Sequence, residues 1–435
     1  MLDVTNLAPK LQVFFTQTAE AIARQTKFVQ RASKLTGALF LQSVVFGFED
    51  QPQASLTDLI ETSDNLGLVI TKQGLQDRIT DAVPFLRAMF EQGLRLFRHK
   101  LPLEIPVLKQ FSGLFITDST VIALPESLCT EFPGCGGNGP EAALKIQLTF
   151  EWLAGAMDTV DFQPGKAADQ GYAGHLQSIR PGALYLSDLG YFVLRHFQQI
   201  DQAQAYFLSR LDLQTAIFDP AADTRLDLLA WLQTQTGSTV ETQWLVGADE
   251  KVPCRVLVTT LPPEVADRRR QKARVAARRK GRTLSPRHLE LLGWNIYITN
   301  VPASLLTLPQ VLVMYAVRWQ IELIFKVWKS QQAVDRVAGR RRERILTEIY
   351  AKLIGVVVTH FLIAPFRLVD RELSPVKVQQ IVRRNALRVV QSLDSLEQLV
   401  RVLDKLITRC LKLARKDQRR KRLSTLQQLQ AGDPC

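Results

Sequence analysis

Cysteine and histidine are scarce in this sequence, with five of each among 435 residues. The cysteines are odd in number and irregularly spaced, and no CxxC pair occurs, which argues against a disulfide framework or a structural zinc site. The histidines do not cluster at the spacing of metal ligands or of a catalytic triad, so we assign none of them to catalysis. The glycines form no phosphate-binding loop, and no nucleotide cofactor is therefore expected.

Long apolar runs are missing as well. The longest, residues 353–366, is too short to span a bilayer and contains His360, so we expect it to form a buried helix. The N-terminus lacks a basic start followed by an apolar core, and no signal peptide is expected. These absences favour a cytoplasmic protein without a membrane partner.

Acidic residues are outnumbered by basic ones, 42 to 55, which gives a net charge of +13 and a pI of about 9.6. Such an excess favours a polyanionic partner, and nucleic acid is the first candidate. A charge that serves only solubility is the alternative. With 46% hydrophobic residues, the chain has enough apolar material for a sizeable core and enough length for two or three domains.

Residues 1–105 are predicted to be mostly helical and to form a DNA-binding domain. Residues 55–80 have the rhythm of two short helices with a turn, which resembles a helix-turn-helix. A second helix from Lys72 would present Lys72 and Gln76 among the side chains that reach phosphates or base edges. Any amphipathic helix pair gives the same pattern, so a purely structural pair remains open. The candidate N-caps are Ser55 or Thr57 for the first helix and Thr71 for the second.

Strands and helices alternate from residue 106 to residue 335, which is typical of a mixed α/β sheet. We interpret residues 212–300 as an inserted β-rich subdomain, and residues 336–435 as a helical region that could mediate dimerisation. Leucines of that region are candidate dimer contacts, and a buried intramolecular face explains them equally well. The predicted strands lie within 113–125, 145–165, 183–192 and 205–211, and the predicted helices cover 168–179 and 308–332.

Two aspartates occur in or at the end of buried strand patterns. Asp118 follows LFIT in the first strand, and Asp188 ends the run ALYLS. A buried carboxylate costs several kcal/mol unless it is paired or bound to metal. If the two strands are neighbours, the carboxylates converge, and a divalent cation would relieve their repulsion. Two unrelated acids at the solvent edge are the alternative.

A third acid lies in the predicted helix 308–332. Tyr315, Arg318, Glu322 and Lys329 are separated by three, four and seven residues, so they project within an arc of roughly 60° on one helix face. This face carries an acid with a base on either side and a phenol at one end. A plain amphipathic helix with a polar stripe gives the same spacing.

This spacing resembles the Tyr-Arg-Glu-Lys signature of a family of bacterial insertion-sequence transposases, the insertion sequence four type. These DDE transposases have a ribonuclease-H-like fold, with one Asp on the first strand and a second Asp on a later strand, often as Asp-x-Gly-Tyr. Asp118 and the run Asp188-Leu189-Gly190-Tyr191 fit both places in order. The β-rich insertion before the Glu is also a family feature. The resemblance covers roughly residues 110–335.

The resemblance implies that Asp118, Asp188 and Glu322 are catalytic and bind two Mg²⁺ ions, for which Mn²⁺ may substitute. It implies cut-and-paste transposition by strand cleavage and 3′-hydroxyl strand transfer. It further implies that Tyr315, Arg318 and Lys329 contact the transposon end. Whether a hairpin intermediate forms does not follow from the motif.

Basic residues concentrate in residues 268–287, which contain no acid. A charge run is usually a solvated face, but here it favours contacts with the DNA backbone, and Arg278, Arg279 and Lys280 are the candidates. A tryptophan of the insertion could stack on a flipped base, although a core role is favoured for each. These tryptophans are Trp231, Trp244 and Trp294.

The expected partners are DNA with terminal inverted repeats and target DNA. Moving an element requires two ends to be paired, so we expect a homodimer on DNA, in the cytoplasm of a bacterium and associated with the nucleoid. Two other functions remain open: a ribonuclease-H-like nuclease that cuts without joining, and a non-catalytic DNA-binding regulator derived from a transposase.

Overall fold

The computed structural model describes residues 4–98, 106–137, 139–369, 373–416 and 428–429, with the side chains of all of these except 363–369. The helices are α1 Val4–Val13, α2 Ala19–Gln25, α3 Gly37–Asp50, α4 Leu56–Asp64, α5 Lys72–Asp81, α6 Val83–Leu96, α7 Leu194–Gln202, α8 Leu228–Gln233, α9 Pro263–Arg279, α10 Pro286–Leu291, α11 Leu308–Val317, α12 Trp319–Gln331, α13 Arg342–Val369, α14 Pro375–Arg383, α15 Ala386–Gln391 and α16 Leu396–Leu413. The strands are β1 Leu114–Leu124, β2 Ala142–Glu151, β3 Ala156–Pro164, β4 Leu184–Ser187, β5 Tyr206–Arg210, β6 Ile217–Phe218, β7 Arg225–Leu226, β8 Thr239–Val246, β9 Val252–Thr260 and β10 Trp294–Thr299.

The strands form one mixed sheet in the order β3-β2-β1-β4-β5-β10-β9-β8-β6-β7. β4 runs parallel to both β1 and β5, whereas β2 and β3 form an antiparallel hairpin. The ribonuclease-H-like α/β class expected from the sequence is thereby confirmed. The strands of the predicted insertion extend this same sheet, because β10 pairs with β5 and β9 pairs with β10.

Contacts divide the chain into two compact units, each assembled from several segments. Within the described residues, the first unit takes 4–98, 119–167 and 320–416, and the second takes 106–118, 168–319 and 428–429. The sequential domains expected from the sequence, with boundaries near 105 and 335, stay a prediction.

α13 is the central helix of the first unit, where it packs against α3, α5, α6 and β3. Ile345, Ile349 and Leu353 on this helix are completely buried. The segment Arg342–Leu362 is long and apolar enough to cross a bilayer, but 94% of its most apolar window is buried inside the protein. The expectation of a buried helix is thus confirmed for the part of 353–366 whose side chains the structure describes.

The predicted helix pair is present as α4 and α5, and side chains cap both helices. Ser55 and Asp58 form a reciprocal capping box at the start of α4, and the Thr71 hydroxyl accepts the N–H of Gly74 at the start of α5. Lys72 is exposed and Gln76 is half-buried on α5. Arg78 of the same helix donates from its guanidinium to the Phe28 carbonyl at 3.3 Å, and its guanidinium carbon lies 6.0 Å from the centre of the Phe28 ring.

A buried ion pair anchors the loop that follows α12. Lys352 Nζ lies 2.8 Å from Glu348 Oε1, and the two side chains are 1% and 0% exposed. Lys352 also donates to the carbonyls of Ala333 and Arg336 at 2.9 and 2.6 Å, and Glu348 accepts the N–H of Ala338 at 3.1 Å. Burial lowers the pKa of Lys352, although Glu348 opposes this shift. The loop is therefore held through its main chain.

Glu49 of α3 is a second buried acid in the first unit. Its carboxylate accepts hydrogen bonds from Gln379 at 2.5 Å and from Gln332 at 3.5 Å. Burial raises the pKa of Glu49 to about 7, against the opposing effect of these bonds and of Arg383, while Asp50 raises it further. The folded protein thus favours the protonated carboxyl group.

Glu49→Gln is expected to stabilise the protein at about pH 8 and to have little effect near pH 4. A carboxyl whose pKa is higher in the folded state contributes stability below its unfolded pKa and loses it as the pH rises through the folded value. For Glu49 this window runs from 4.5 to about 7, and the loss is on the order of 3 kcal/mol. Urea unfolding of both proteins across this window measures it, and a pH-independent difference would contradict the assignment.

Aromatic stacking builds the core of the second unit. Phe115 of β1 stacks on Tyr185 of β4 with ring centroids 4.9 Å apart, and Phe197 of α7 stacks on Phe207 of β5 at 4.7 Å. These contacts fix the strand ends that precede Asp118 and Asp188.

The helix expected over residues 168–179 is wrong. Two short 3₁₀ turns occupy this segment, at Asp169–Gly171 and Gly174–Leu176. The two glycines weaken a helical ladder by about 1 kcal/mol each, and the burial of His175 and Tyr172 favours the broken path.

Three of the candidate leucines of α16 face the interior of the first unit. Leu399, Leu403 and Leu406 are at most 3% exposed, whereas Leu396 is 41% exposed. α16 packs against α1, α14 and α15. Of the two explanations left open for these leucines, the structure favours the intramolecular one.

Candidate active site

Asp118 and Asp188 lie next to each other where the pairing of two parallel strands ends, Asp118 within β1 and Asp188 directly after β4. β1 and β4 pair in register up to Thr117 opposite Ser187, and the two aspartates are the following residues. Since adjacent strands are about 4.8 Å apart, this register brings both carboxylates to one edge of the sheet. The expectation that the two strands are neighbours is confirmed.

A tight turn fixes the main chain at Asp188. Its Oδ1 accepts the N–H of Leu189 at 2.8 Å, and its carbonyl accepts the N–H of Tyr191 at 2.9 Å. Tyr191 is 3% exposed and holds the turn in the core. The Asp-x-Gly-Tyr run thus serves as a cap and an anchor, which leaves Oδ2 of Asp188 directed to other partners.

Arg318 supplies the positive charge between the two carboxylates. Its Nη1 lies 3.5 Å from Asp118 Oδ2 and 3.9 Å from Asp188 Oδ2. The Arg318 side chain is 12% exposed, compared with 20% for Asp118 and 43% for Asp188. Two adjacent carboxylates repel each other, and a cation in contact with both offsets that repulsion.

The single long helix expected over residues 308–332 is interrupted at Arg318. α11 ends at Val317 and α12 begins at Trp319. The N–H of Arg318 bonds to the carbonyl of Tyr315 at 3.1 Å, so the last turn of α11 is tightened to a three-residue repeat. Arg318 itself keeps helical dihedral angles, with φ −49° and ψ −36°, and the common helix face expected for the signature residues stays a prediction.

Tyr315 places a buried phenol beside this group. Its ring packs against Tyr297 with centroids 5.0 Å apart, and the guanidinium carbon of Arg318 lies 6.0 Å from its centre. The Tyr315 hydroxyl has no hydrogen-bond partner among the described residues. Burial raises the pKa of Tyr315, and the charge of Asp188 raises it further. The hydroxyl thus stays protonated and can donate to an anionic ligand.

Glu322 and Lys329 lie in the first and last turns of α12, in the first unit. Lys329 Nζ donates to the carbonyl of Val121 in β1 at 3.1 Å. Glu322 is half-buried. Its role as the third acid stays a prediction.

The donor set of Asp118 and Asp188 fits a divalent cation. Both are hard oxygen donors on rigid strands, which suits Mg²⁺ or Mn²⁺, and Arg318 shows that the pair already accommodates positive charge. Among the described residues, no group of three or more His, Cys, Asp or Glu side chains is arranged to hold a metal ion. The structure thus brings two candidate ligands next to each other, and the described residues do not form a complete set of metal ligands around them.

The basic stretch of the insertion forms α9 and the residues that follow it. Arg269 is fixed by bonds to Trp294 and Asn295, and Arg270 by a bond to the Leu289 carbonyl. The predicted DNA-binding residues Arg278, Arg279 and Lys280 are exposed at the far end. They belong to the second unit, whereas Lys72 and Gln76 belong to the first.

The tryptophans of the insertion are largely structural. Trp244 is 2% exposed and packs edge-on against Trp231, with centroids 4.8 Å apart, and Trp294 packs against the same core. Trp319 directly follows Arg318 within the signature and is 55% exposed, so its ring is accessible to solvent.

Comparison with known proteins gives a consistent result. The family model described as "Transposase DDE domain" matches residues 109–357. The chain is 28% identical to the transposase for insertion sequence element IS231B of Bacillus thuringiensis subsp. berliner, over 93% of this chain and 90% of that relative. It is also 28% identical to the transposase for insertion sequence element IS1151 of Clostridium perfringens, over 83% of this chain and 80% of the relative. Among solved structures, the piggyBac transposase synaptic complex with hairpin DNA covers 99% of this chain and 85% of its own at 9% identity, with a TM-score of 0.49.

Proposed function

Because the chain belongs to the transposase DDE domain family, we propose that it moves an insertion sequence by cut-and-paste transposition. The observation that carries this proposal is the position of Asp118 and Asp188, one residue beyond the last paired residues of two adjacent parallel strands, with Arg318 of the signature in contact with both. Carboxylates on rigid elements can hold the cations that phosphoryl transfer on DNA requires. DDE transposases depend on divalent metal ions as a family.

Asp118, Asp188 and Glu322 would together hold two Mg²⁺ ions, with Mn²⁺ as a substitute. Bound there, the ions would supply positive charge to the attacking and leaving oxygens of an in-line phosphoryl transfer. The strands β1 and β4 set the spacing of the first two ligands, and α12 carries the third. The same three side chains would serve strand cleavage and 3′-hydroxyl strand transfer.

The signature residues would hold the transposon end. Tyr315 offers a protonated hydroxyl without a partner among the described residues, which is suited to a phosphate oxygen. Arg318 can exchange its carboxylate contacts for a phosphate, since guanidinium binds both through the same forked donors. Lys329 adds a positive charge about 10 Å along the helix axis from Glu322, enough to reach a neighbouring nucleotide.

Arg318→Gln is expected to tighten Mn²⁺ binding about tenfold. The guanidinium contacts both carboxylates and competes with any cation bound there, so its removal relieves competition and charge repulsion. Titration of Mn²⁺ followed by electron paramagnetic resonance measures this. Arg225→Gln, at an exposed arginine of β7, is the matched control. Weaker Mn²⁺ binding in Arg318→Gln would show that the guanidinium does not compete.

DNA is the partner of a transposase, and we propose that this one binds terminal inverted repeats and target DNA as a homodimer. It would act in the bacterial cytoplasm, in association with the nucleoid. Arg278, Arg279 and Lys280 would contact the DNA backbone, because they are exposed and clustered at the end of α9.

Incubation with Mg²⁺ and DNA carrying the inverted repeats of its own locus tests the proposed function. We expect excision of the element and its insertion into a target. Cleavage without joining would indicate a nuclease, and binding without cleavage would indicate a regulator derived from a transposase. Either result would overturn the cut-and-paste proposal.

A further inference from the structure

A cleft of about 560 Å³ opens in the first unit between α5, the start of α4 and the segment that leads into α13. Among the described residues one acid lines it, Asp77, whose carboxylate accepts a hydrogen bond from Gln73 at 2.7 Å. The lining is otherwise rich in cations and neutral hydrogen-bonding groups. Its main polar residues are Ser55, Gln73, Gln76, Arg340, Arg341 and Arg344.

Arg344 is buried at the wall of this cleft, with 7% of the residue exposed. Its guanidinium carbon lies 5.6 Å from the centre of the Phe48 ring, and Nη2 approaches the Ala54 carbonyl at 3.5 Å. Nη1 is buried and has no hydrogen-bond partner among the described residues. Glu348, one turn further along α13, is engaged by Lys352 at 2.8 Å. A buried cation without a bonded carboxylate is costly, and an anionic ligand would offset that cost.

Arg340 and Arg341 add two exposed positive charges to the same wall. Neither forms an ion pair with a described acid. They lie at the end of the segment that Lys352 holds through the carbonyls of Ala333 and Arg336. Because the main chain is anchored, little of its entropy would be lost when these side chains bind a ligand.

We propose that this cleft binds phosphate groups of the DNA backbone, with Arg344 as the buried anchor. The inference rests on the proposed function, since DNA is the polyanion that a transposase handles. The cleft is several times larger than a phosphate ion, which suits a stretch of backbone. Gln73 and Gln76 on the opposite wall can donate to further phosphate oxygens. α5 thus acts as one wall of a phosphate-binding cleft, and its contacts position the DNA without reading its sequence.

The double variant Arg340→Ala/Arg341→Ala tests the cleft in the full-length protein. Fluorescence anisotropy with labelled duplex carrying a terminal inverted repeat gives the affinity over a series of salt concentrations. We expect affinity to fall at least about tenfold at low salt, and the slope of log K against log salt to decrease by about two. The matched control is Arg388→Ala/Arg401→Ala, two exposed arginines of α15 and α16, for which the slope should change by less than one.

Arg344→Lys tests the buried anchor, because lysine keeps the charge and loses the forked donors. We expect DNA affinity to fall several-fold while the Tm stays close to that of the wild type. Inorganic phosphate at matched ionic strength is the second probe. If phosphate raises the Tm of the wild type but the variants bind DNA normally, the cleft takes a free phosphate and the DNA assignment is overturned.

Two further outcomes separate this inference from the proposed function. Wild-type affinity and slope in both the double variant and Arg344→Lys would overturn the cleft and leave the transposase proposal intact. If the wild-type protein does not bind the duplex at all, the proposed function fails, and the cleft inference fails with it.

Discussion

Glu322→Gln is expected to lower DNA cleavage by about 1,000-fold or more while leaving end binding close to that of the wild type. Glutamine keeps the size of the side chain but loses the negative charge that a metal ligand supplies. Loss of one ligand removes several kcal/mol of transition-state stabilisation, and each 1.4 kcal/mol is about tenfold in rate. Cleavage of DNA carrying the inverted repeats measures the rate, and a gel-shift assay with the same DNA measures binding.

Glu61→Gln is the matched control for this experiment. Glu61 is an exposed acid of α4 in the first unit, so its replacement changes the net charge equally and should leave cleavage unchanged. Asp118→Asn and Asp188→Asn are expected to match the loss seen at position 322. If Glu322→Gln cuts at the wild-type rate while the two aspartate variants are inactive, the third acid lies elsewhere in the chain.

Lys352→Met is expected to destabilise the protein by about 3–5 kcal/mol. The substitution leaves Glu348 as an uncompensated charge in a completely buried position, which is the costly way to break a buried pair. It also removes the donor to the carbonyls of Ala333 and Arg336. The midpoint of urea unfolding gives the free energy.

Replacing both Lys352 and Glu348 separates the cost of an unpaired buried charge from the cost of the lost hydrogen bonds. Lys352→Met combined with Glu348→Leu is expected to recover part of the lost stability, since two apolar side chains leave no buried charge, whereas the carbonyls of Ala333 and Arg336 and the N–H of Ala338 still lack their hydrogen-bond partners. Arg401→Met, which breaks the exposed pair with Glu397 at the same i,i+4 spacing, should cost less than about 1 kcal/mol. Equal losses in Lys352→Met and Arg401→Met would show that burial does not set the cost.

The first two acids could be located from sequence because each has a local signature. Asp118 interrupts a β-branched apolar strand, and Asp188 ends one and starts a capped turn. Neighbouring parallel strands then bring them together. The contact of Arg318 with both carboxylates depends on tertiary packing, across 200 residues of sequence for Asp118 and 130 for Asp188, and no periodicity encodes it.

The sequence predicts where helices begin better than where a helix is interrupted. The caps at Ser55 and Thr71 were visible in the sequence because capping uses adjacent residues. The break at Arg318 has no glycine or proline to mark it. The contact of the half-buried Arg78 with the Phe28 carbonyl likewise joins residues 50 positions apart.

The anchoring of the segment after α12 has a consequence for how this protein can diverge. Lys352 donates hydrogen bonds to two main-chain carbonyls of that segment, and Glu348 accepts one from a main-chain N–H. Mutations that exchange the side chains of Arg340 or Arg341 therefore leave these main-chain hydrogen bonds unchanged. Selection could thus change the strength of the proposed phosphate contacts at these two positions separately from the interior that keeps the chain folded.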